Sequence, residues 1–262
     1  MVDTHTHILD DALLARSEDI VRNMAKDGLD FIVEIAADVG ESKKALEFAR
    51  KHKNVYCTVG VHPIWATEYN DEFANWCKTV ASDANIVAFG ECGLDYYHEG
   101  VRAPSRDIQI PAFKSQIKLA DELGLPLVVH SRNACDDTYN ILKEHERYLN
   151  NGVLIHCFSY SAKEEELYKS LDCYFAFGGA ITYRNCDVAR EAILNTPIDR
   201  LLVETDCPYL SPVPVRDKIN EPKHVRYVIE HIANILNMPF DQLEKITTDN
   251  ANRFYKLPII SE

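Results

Sequence analysis

The sequence predicts an α/β protein folded as a single (β/α)8 TIM barrel over residues 1–262. Three observations support this prediction. Short runs of apolar and β-branched residues alternate with longer amphipathic stretches along the chain. Eight such runs occur, and strands of a parallel sheet that is buried on both faces have this continuous apolar character. The length of 262 residues is close to the roughly 250 residues that a barrel of this kind usually takes.

The first half of the chain contains four predicted strand–helix units. A very short strand opens the chain, and the helix after it is expected to end at Gly28, because glycine is common just past a helix terminus. The runs FIVEIAA, VYCTVGV and IVAFGE predict the next three buried strands. In order, the predicted segments are strand 2–4, helix 17–28, strand 31–37, helix 41–52, strand 55–61, helix 71–81, strand 86–91 and helix 107–123.

The second half repeats the alternation. The predicted segments are strand 125–130, helix 134–149, strand 153–158, helix 162–170, strand 173–179, helix 187–194, strand 200–205 and two or three closing helices. Alternation of this kind predicts a parallel sheet, and eight strands predict its closure into a barrel. The loop over residues 207–222 holds four prolines and follows the last strand, so we expect an ordered flap over the barrel mouth.

The composition indicates a globular protein of the cytoplasm. No stretch approaches the roughly 20 apolar residues of a membrane-spanning helix, and the start does not resemble a signal peptide. Eight cysteines occur singly, without a CxxC pair, which fits a reducing compartment. We therefore expect a cytoplasmic protein with no membrane segment, and nothing in the sequence indicates an obligate protein partner.

The net charge is −13, from 28 basic and 41 acidic side chains. An acidic protein repels a polyanion at long range, so the charge argues against a broad basic surface for nucleic acid. It remains compatible with a phosphate-cleaving site, because bound cations reverse the local field. The charge therefore favours a small substrate or one that is recognised at its end.

Seven metal-capable side chains fall at the C-terminal ends of predicted strands, where a barrel places its active site. They are His5, His7, His62, Glu91, His130, His156 and Asp206. Taken singly, each has a simpler explanation: an incidental HxH pair, a buried histidine, a rim ion pair for Glu91 or a loop cap for Asp206. Those explanations do not account for the shared location, so together the residues predict a metal site.

The same residue types predict two divalent cations. Four imidazoles and two carboxylates can hold two cations and leave positions open for water and substrate. His5 and His7 point to one side of their strand, because strand side chains alternate with a period of two. Glu91 lies between the two groups of histidines in chain order and is the candidate bridge. Imidazole suits zinc or manganese, and carboxylate suits magnesium or manganese, so Mg, Mn and Zn stay open.

Further side chains at the predicted mouth are candidates for substrate contact. Arg132 follows His130 by two residues and could bind a phosphate oxygen or form a rim ion pair. Tyr96 and Tyr97 could stack on a base or simply pack the rim. The other candidates lie on the loops after the seventh and eighth strands, and they are Tyr183, Arg184, Arg216 and Lys218.

Eight motifs make the chain similar to a known family. They are DTHTH, GVHP, GECGLDYY, LPLVVHSR, HCFS, FGGAITYRN, ETDCPYL and RDKINEP, between Asp3 and about Phe254. In this order they resemble the TatD family of metal-dependent deoxyribonucleases, which belongs to the amidohydrolase-like barrels. The resemblance implies hydrolysis of DNA phosphodiester bonds, often from the 3′ end and typically with magnesium. DNA ends or single-stranded DNA would be the substrate.

The resemblance also implies roles for the candidate residues. One cation would be held by His5, His7, Glu91 and Asp206. The other would be held by Glu91, His130 and His156. His62 would lie near the substrate phosphate, and Asp206 would also orient or deprotonate the attacking water.

The sequence departs from the family pattern at a few positions. Asp217 stands where the family often has glycine, between Arg216 and Lys218, and brings a negative charge to a loop expected to face phosphate. Cys92 and Cys207 replace small or apolar neighbours of the ligands. Because adjacent strand residues point to opposite faces, Cys92 is expected to face the helices.

Two other functions remain open. A two-metal barrel can also hydrolyse other esters, lactones or amides, as in a D-aminoacyl-tRNA deacylase or a small-molecule amidohydrolase, because fold does not decide the chemistry. A carbamylated lysine on the fourth strand would indicate amide substrates, and Glu91 in that place favours a nuclease. A non-enzymatic metal-binding protein is disfavoured, because open coordination does not suit a structural metal.

Overall fold

The computed structural model describes residues 1–257, so the predicted domain of residues 1–262 includes five residues, 258–262, outside the described part. Eight parallel strands form one sheet in the order β1 to β8, with helices between successive strands. The strands are β1 Val2–Thr6, β2 Phe31–Glu34, β3 Val55–Val59, β4 Ile86–Asp95, β5 Leu127–Arg132, β6 Val153–Ile155, β7 Tyr174–Phe177 and β8 Leu201–Val203. The predicted (β/α)8 TIM barrel is confirmed.

The helices pack around the sheet. Those of the described residues are α1 Ser17–Asn23, α2 Val39–Ala49, α3 Asp71–Val80, α4 Arg106–Leu123, α5 Cys135–Glu144, α6 Ala162–Lys169, α7 Asp187–Asn195, α8 Val225–Ile235 and α9 Phe240–Phe254. Helix α1 ends before the predicted Gly28. There the chain turns, with Gly28 at a φ of 75° and the Leu29 amide donating to the Met24 carbonyl at 2.9 Å. No helix within residues 1–257 is both long and apolar enough to cross a membrane.

Several strands end two or three residues earlier than predicted, whereas β4 continues to Asp95. Beyond the short strands the neighbouring chains still touch through single hydrogen bonds, such as that from the Glu204 amide to the Phe177 carbonyl at 3.1 Å. Strand β4 keeps its ladder with β5, where Asp95 pairs with Arg132.

The barrel closes between β8 and β1 through side chains and single backbone bonds. The Thr4 hydroxyl donates to the Val203 carbonyl at 2.8 Å. The buried Asp3 carboxylate accepts from the Thr205 amide at 2.9 Å and from the Thr205 hydroxyl at 2.6 Å. The Asp206 amide donates to the His5 carbonyl at 3.0 Å. Closure therefore ties the metal-capable ends of these two strands directly together.

The alternation of side chains along each strand determines which residues point into the barrel at its mouth. Val128, Leu154 and Leu202 belong to one buried apolar cluster that lies inside the sheet. The alternate residues of the same strands, Val129, Ile155 and Val203, belong to the cluster shared with the helices. Two residues after each interior residue come His130, His156 and Glu204 respectively. These polar side chains therefore point into the barrel, above the apolar layer.

Candidate metal centre

The end of β1 places two imidazoles side by side. The Nε2 atoms of His5 and His7 lie 3.2 Å apart, and His5 is fully buried. The Nδ1 atom of His7 lies 3.1 Å from the Ile35 carbonyl oxygen, which can only accept, so Nδ1 carries the proton. Asp206 Oδ1 is 3.4 Å from His7 Nε2 and 3.7 Å from His5 Nε2. The Nε2 lone pairs and this carboxylate converge on one point.

Glu91 joins this group to a second one. Its Oε2 lies 3.4 Å from His5 Nε2, whereas Oε1 lies 2.7 Å from His156 Nε2 and 2.9 Å from His130 Nδ1. Glu91 is 3% exposed. Burial alone would raise its pKa, but the surrounding imidazoles, His156 foremost, hold the pKa well below its usual range. The ionised carboxylate therefore directs one oxygen at each group of histidines.

His130 is backed by a carboxylate on its far side. Its Nε2 lies 3.2 Å from Asp95 Oδ2 at the end of β4, and Asp95 also lies 2.8 Å from His98 Nδ1. Burial would raise the pKa of Asp95, but the hydrogen bonds from His130 and His98 hold it below its usual range. An ionised carboxylate only accepts, so His130 Nε2 carries the proton and Nδ1 faces Glu91 with its lone pair. Carboxylates of this kind commonly orient metal-ligating histidines.

A carboxylate that the sequence reading missed, Glu204, backs two further rings. It is fully buried; Oε1 lies 3.4 Å from His156 Nδ1 and accepts from the Cys157 amide at 2.7 Å. Its Oε2 is 4.0 Å from His5 Nδ1, and within the described chain neither Nδ1 atom has a hydrogen bond. The two rings stack with centroids 4.0 Å apart. The available signal was the period of two that puts Glu204 on the same strand face as Asp206.

Asp206 is one of the partly exposed members of the cluster. It follows β8 with a φ of 56°, and its side chain is 16% exposed. Burial would raise its pKa, but the hydrogen bond with His7 and the charges of His5 and His156 lower the pKa overall. Asp206 is therefore an ionised carboxylate that water can reach.

His62 lies beside the same cluster, but the ring nitrogen that faces Glu91 carries a proton. Its Nδ1 accepts from the Ile64 amide at 3.1 Å, so the proton of the neutral ring is on Nε2. Nε2 lies 3.7 Å from Glu91 Oε1. Burial, with the charge of His130, lowers the pKa of His62 to about 3. His62 is thus a neutral hydrogen-bond donor rather than a ligand, although it lies close to Asp95 and His130 in a group of metal-capable atoms.

The donor set fits divalent cations. In two more groups of side chains, the metal-capable atoms lie within 4.8 Å of one another. One group comprises His5, His7 and Asp206, and the other comprises His5, Glu91 and His156. Facing ring nitrogens lie 3.2 Å apart at His5 and His7, and 3.3 Å apart at His130 and His156. Burial opposes charge on His7, yet the bond to Asp206 and the nearby carboxylates raise its pKa to about 9. Positive charge is therefore favoured between these nitrogens, and bound metal ions would supply it.

The predicted substrate contacts lie on loops at the same end of the barrel. Arg132 ends β5 and is exposed, with its guanidinium 4.2 Å from the centre of the Tyr97 ring. The Arg216 guanidinium lies 3.9 Å from the centre of the Tyr183 ring, and the Tyr183 hydroxyl donates to the Ser211 carbonyl at 2.9 Å. Two of the three predicted arginine contacts, Arg132 and Arg216, are thus each held on a tyrosine ring.

The remaining predicted positions are less constrained. Arg184, Asp217 and Lys218 are exposed, and no ion pair joins any of them to another residue of the range 1–257. Tyr96 packs at the rim instead of presenting a free ring: its hydroxyl donates to Asp137 at 2.7 Å. Cys92 is buried in the cluster shared with the helices, on the face expected from its place beside a ligand.

Several known proteins are similar to this chain along most of its length. The family described as TatD related DNase matches residues 2–256. The uncharacterized metal-dependent hydrolase YabD of Bacillus subtilis is 35% identical, over 98% of this chain and 99% of that protein. The 3′-5′ ssDNA/RNA exonuclease TatD of Cronobacter sakazakii is 32% identical, over 92% and 91%. The solved structure of the TatD homolog YjjV of Escherichia coli has a TM-score of 0.88 at 25% identity, covering 98% of both chains.

Proposed function

Because the chain belongs to the family of TatD-related DNases and is a metal-dependent hydrolase, we propose that it hydrolyses DNA phosphodiester bonds, as a 3′-5′ exodeoxyribonuclease. The observation that carries the proposal is the position of Glu91. One of its oxygens faces His5, and the other faces His130 and His156. A carboxylate shared between two groups of ligands fits two neighbouring cations, an arrangement with which many enzymes hydrolyse phosphate esters.

Two divalent cations, of Mg, Mn or Zn, would occupy these groups. One would be held by His5, His7, Glu91 and Asp206, and the other by Glu91, His130 and His156. Four carboxylates lie around the rings, and two divalent cations would place positive charge opposite them; they are Glu91, Asp95, Glu204 and Asp206. When bound, the cations would ionise a water molecule and neutralise charge on the phosphate.

The chain's own residues would perform the remaining chemistry. Asp206 would accept a proton from the attacking water, because it is an ionised and partly exposed carboxylate. His62 would donate its Nε2 proton in a hydrogen bond to a non-bridging phosphate oxygen, since its Nδ1 is already occupied by the Ile64 amide. Arg132 would bind a phosphate oxygen from the rim.

The end of a single strand is the substrate that best fits the charge of the molecule. A net charge of −13 opposes a long polyanion, and a strand end brings fewer phosphates to the surface than a bound duplex. The exonuclease from Cronobacter sakazakii has the same direction and strand preference in its name. Further contacts would come from the loops after β7 and β8, through Tyr183, Arg184, Arg216 and Lys218.

Labelled oligonucleotides test the proposal. The purified protein is incubated with single-stranded DNA that carries the label at the 3′ end or internally, with Mg²⁺, Mn²⁺ or Zn²⁺. We expect the 3′ label to be released first. Glu91→Ala should abolish release, whereas Glu47→Ala, which removes an exposed glutamate of α2, should leave it unchanged.

The same assay can contradict the proposal. If the wild type retains bound metal but releases no nucleotide with any of the three cations, the chain is not a deoxyribonuclease. Aminoacyl-tRNA esters and small amides would then be the substrates to examine. Internal cleavage without early loss of the 3′ label would overturn the exonuclease assignment alone.

A further inference from the structure

Exposed aromatic side chains are confined to the barrel mouth. The chain has 25 aromatic residues, comprising 2 Trp, 13 Tyr and 10 Phe. All of them lie within residues 1–257, and only three are exposed: Trp65 at 44%, Tyr97 at 58% and Tyr209 at 53%. All three lie on loops that follow strands, at the same end of the barrel.

Each of these rings is attached close to a residue of the metal centre. The Trp65 amide donates to the His62 carbonyl at 2.8 Å. Tyr97 follows Asp95 by two residues. The Tyr209 amide donates to the Asp206 carbonyl at 2.9 Å, and the centres of the Tyr209 and His7 rings are 6.2 Å apart.

The two tyrosines stand on opposite sides of the centre. Tyr97 follows β4 and Tyr209 follows β8, and the eight strands run around the barrel in chain order. Strands four apart in a ring of eight face each other across its axis. A group bound at the centre would thus have one exposed ring on each side.

Both rings are held in position although they are exposed. Arg132 lies over Tyr97, 4.2 Å from its centre. The Tyr209 hydroxyl donates to Asp10 Oδ2 at 2.8 Å. A ring that is fixed before binding loses little conformational entropy when a flat ligand packs on it.

We propose that Tyr97, together with Arg132, and Tyr209 form two stacking subsites for the nucleobases on either side of the scissile phosphate. This inference rests on the proposed function, and it adds how the strand is recognised. Bases offer a flat face whatever the sequence, and only unpaired bases can present it, so stacking selects single strands without a basic surface. Trp65, whose backbone amide donates to the His62 carbonyl, is the third exposed ring at this end of the barrel.

Fluorescence of 2-aminopurine tests the subsites without requiring hydrolysis. The probe is a phosphorothioate-linked single strand with 2-aminopurine at the 3′-terminal or the penultimate position. Stacking on a ring quenches this base, so we expect quenching by the wild type at both positions. Tyr97→Ala and Tyr209→Ala should each relieve it at one position, a different one for each, and weaken binding by roughly 5- to 150-fold. Tyr97→Phe should keep the quenching.

Abasic substitution identifies the partner of each ring. Removing the base that stacks on Tyr97 should weaken binding to the wild type but not to Tyr97→Ala, because the interaction is already lost. Tyr148→Ala is the matched control, since this tyrosine also lies under an arginine, Arg147 at 4.6 Å, but precedes β6 at the other end of the barrel.

The outcomes separate this inference from the proposed function. If the wild type releases nucleotides but both alanine variants retain the wild-type quenching and the sensitivity to every abasic position, the subsites do not exist and the nuclease assignment stands. If the wild type neither cleaves nor quenches the single strand, both are wrong. Quenching without cleavage would support the subsites in a protein that is not a nuclease.

Discussion

The Oε1 oxygen of Glu204 lies 3.4 Å from Nδ1 of His156, on the side of the ring opposite to Glu91. The contact favours a proton on Nδ1 and leaves the Nε2 lone pair facing Glu91 at 2.7 Å. The imidazole is therefore oriented by one carboxylate and directed at another. Groups behind a metal-ligating ring fix its tautomer and orientation, and they raise its basicity.

Glu204→Gln should weaken metal binding without unfolding the protein. The glutamine amide preserves the volume but removes the carboxylate that faces Nδ1 of His5 at 4.0 Å and Nδ1 of His156 at 3.4 Å. We expect metal affinity to fall about 10- to 100-fold, measured by competition with a chelator, with an unchanged circular dichroism spectrum.

Glu165→Gln provides the control for that experiment. Glu165 is also fully buried, but it lies on α6 and bonds to Asn195 at 2.9 Å, away from the centre. Equal metal affinity in the two variants would show that Glu204 does not position the histidines.

His62 should act through its hydrogen-bond donor and not as a ligand. His62→Ala removes the donor, and we expect kcat to fall about 10²- to 10³-fold, the size seen when a transition-state donor is lost. His62→Gln retains an N–H donor and should lose less. Metal content measured by mass spectrometry should stay constant in both variants, and loss of a cation from His62→Ala would contradict this role.

Metal binding should strengthen as the pH rises towards 9. The pKa of His7 is raised from 6.5 to about 9, so below pH 9 its ring carries a proton that a cation must displace. Affinity for the cation held by His5 and His7 should therefore rise up to tenfold per pH unit, and level off above pH 9. Titration calorimetry at pH 6.5, 7.5 and 8.5 measures this slope, and a flat profile would rule out proton displacement at His7.

Gly93→Ala should disturb the metal centre through the backbone. Gly93 has a φ of 140°, and a Cβ atom there would lie 2.0 Å from the His130 carbonyl oxygen. The strand that carries His130 must move, so we expect a loss of a few kcal/mol of unfolding free energy and weaker binding of one cation. Gly100→Ala is the control in urea denaturation, because its φ is 75° but nothing lies within 4 Å. Equal losses would mean that the close approach does not matter.

The strand order and the shared location of the candidate ligands could be predicted from local pattern. Apolar runs alternate with helical stretches, and the ends of parallel strands in a closed barrel must converge. Residues as distant in sequence as His5 and Asp206 could thus be assigned to one cavity before any distance was known. The strand ends were predicted less well, because the apolar run continues past the last paired residue, as after Glu34 in β2. Pairing depends on the neighbouring strand, which local composition does not describe.

The individual contacts between atoms of the metal centre are decided by tertiary packing. Asp95 behind His130 and Glu204 behind both His5 and His156 depend on the register of strands that are far apart in sequence. The sequence also did not determine which tyrosines are exposed: the Tyr96 hydroxyl donates to Asp137, whereas the neighbouring Tyr97 is exposed. Periodicity along one strand decides which face a side chain takes. Which atom it meets is decided by the neighbouring strands and loops, because hydrogen bonds and burial act over a few ångströms between segments that no local pattern relates.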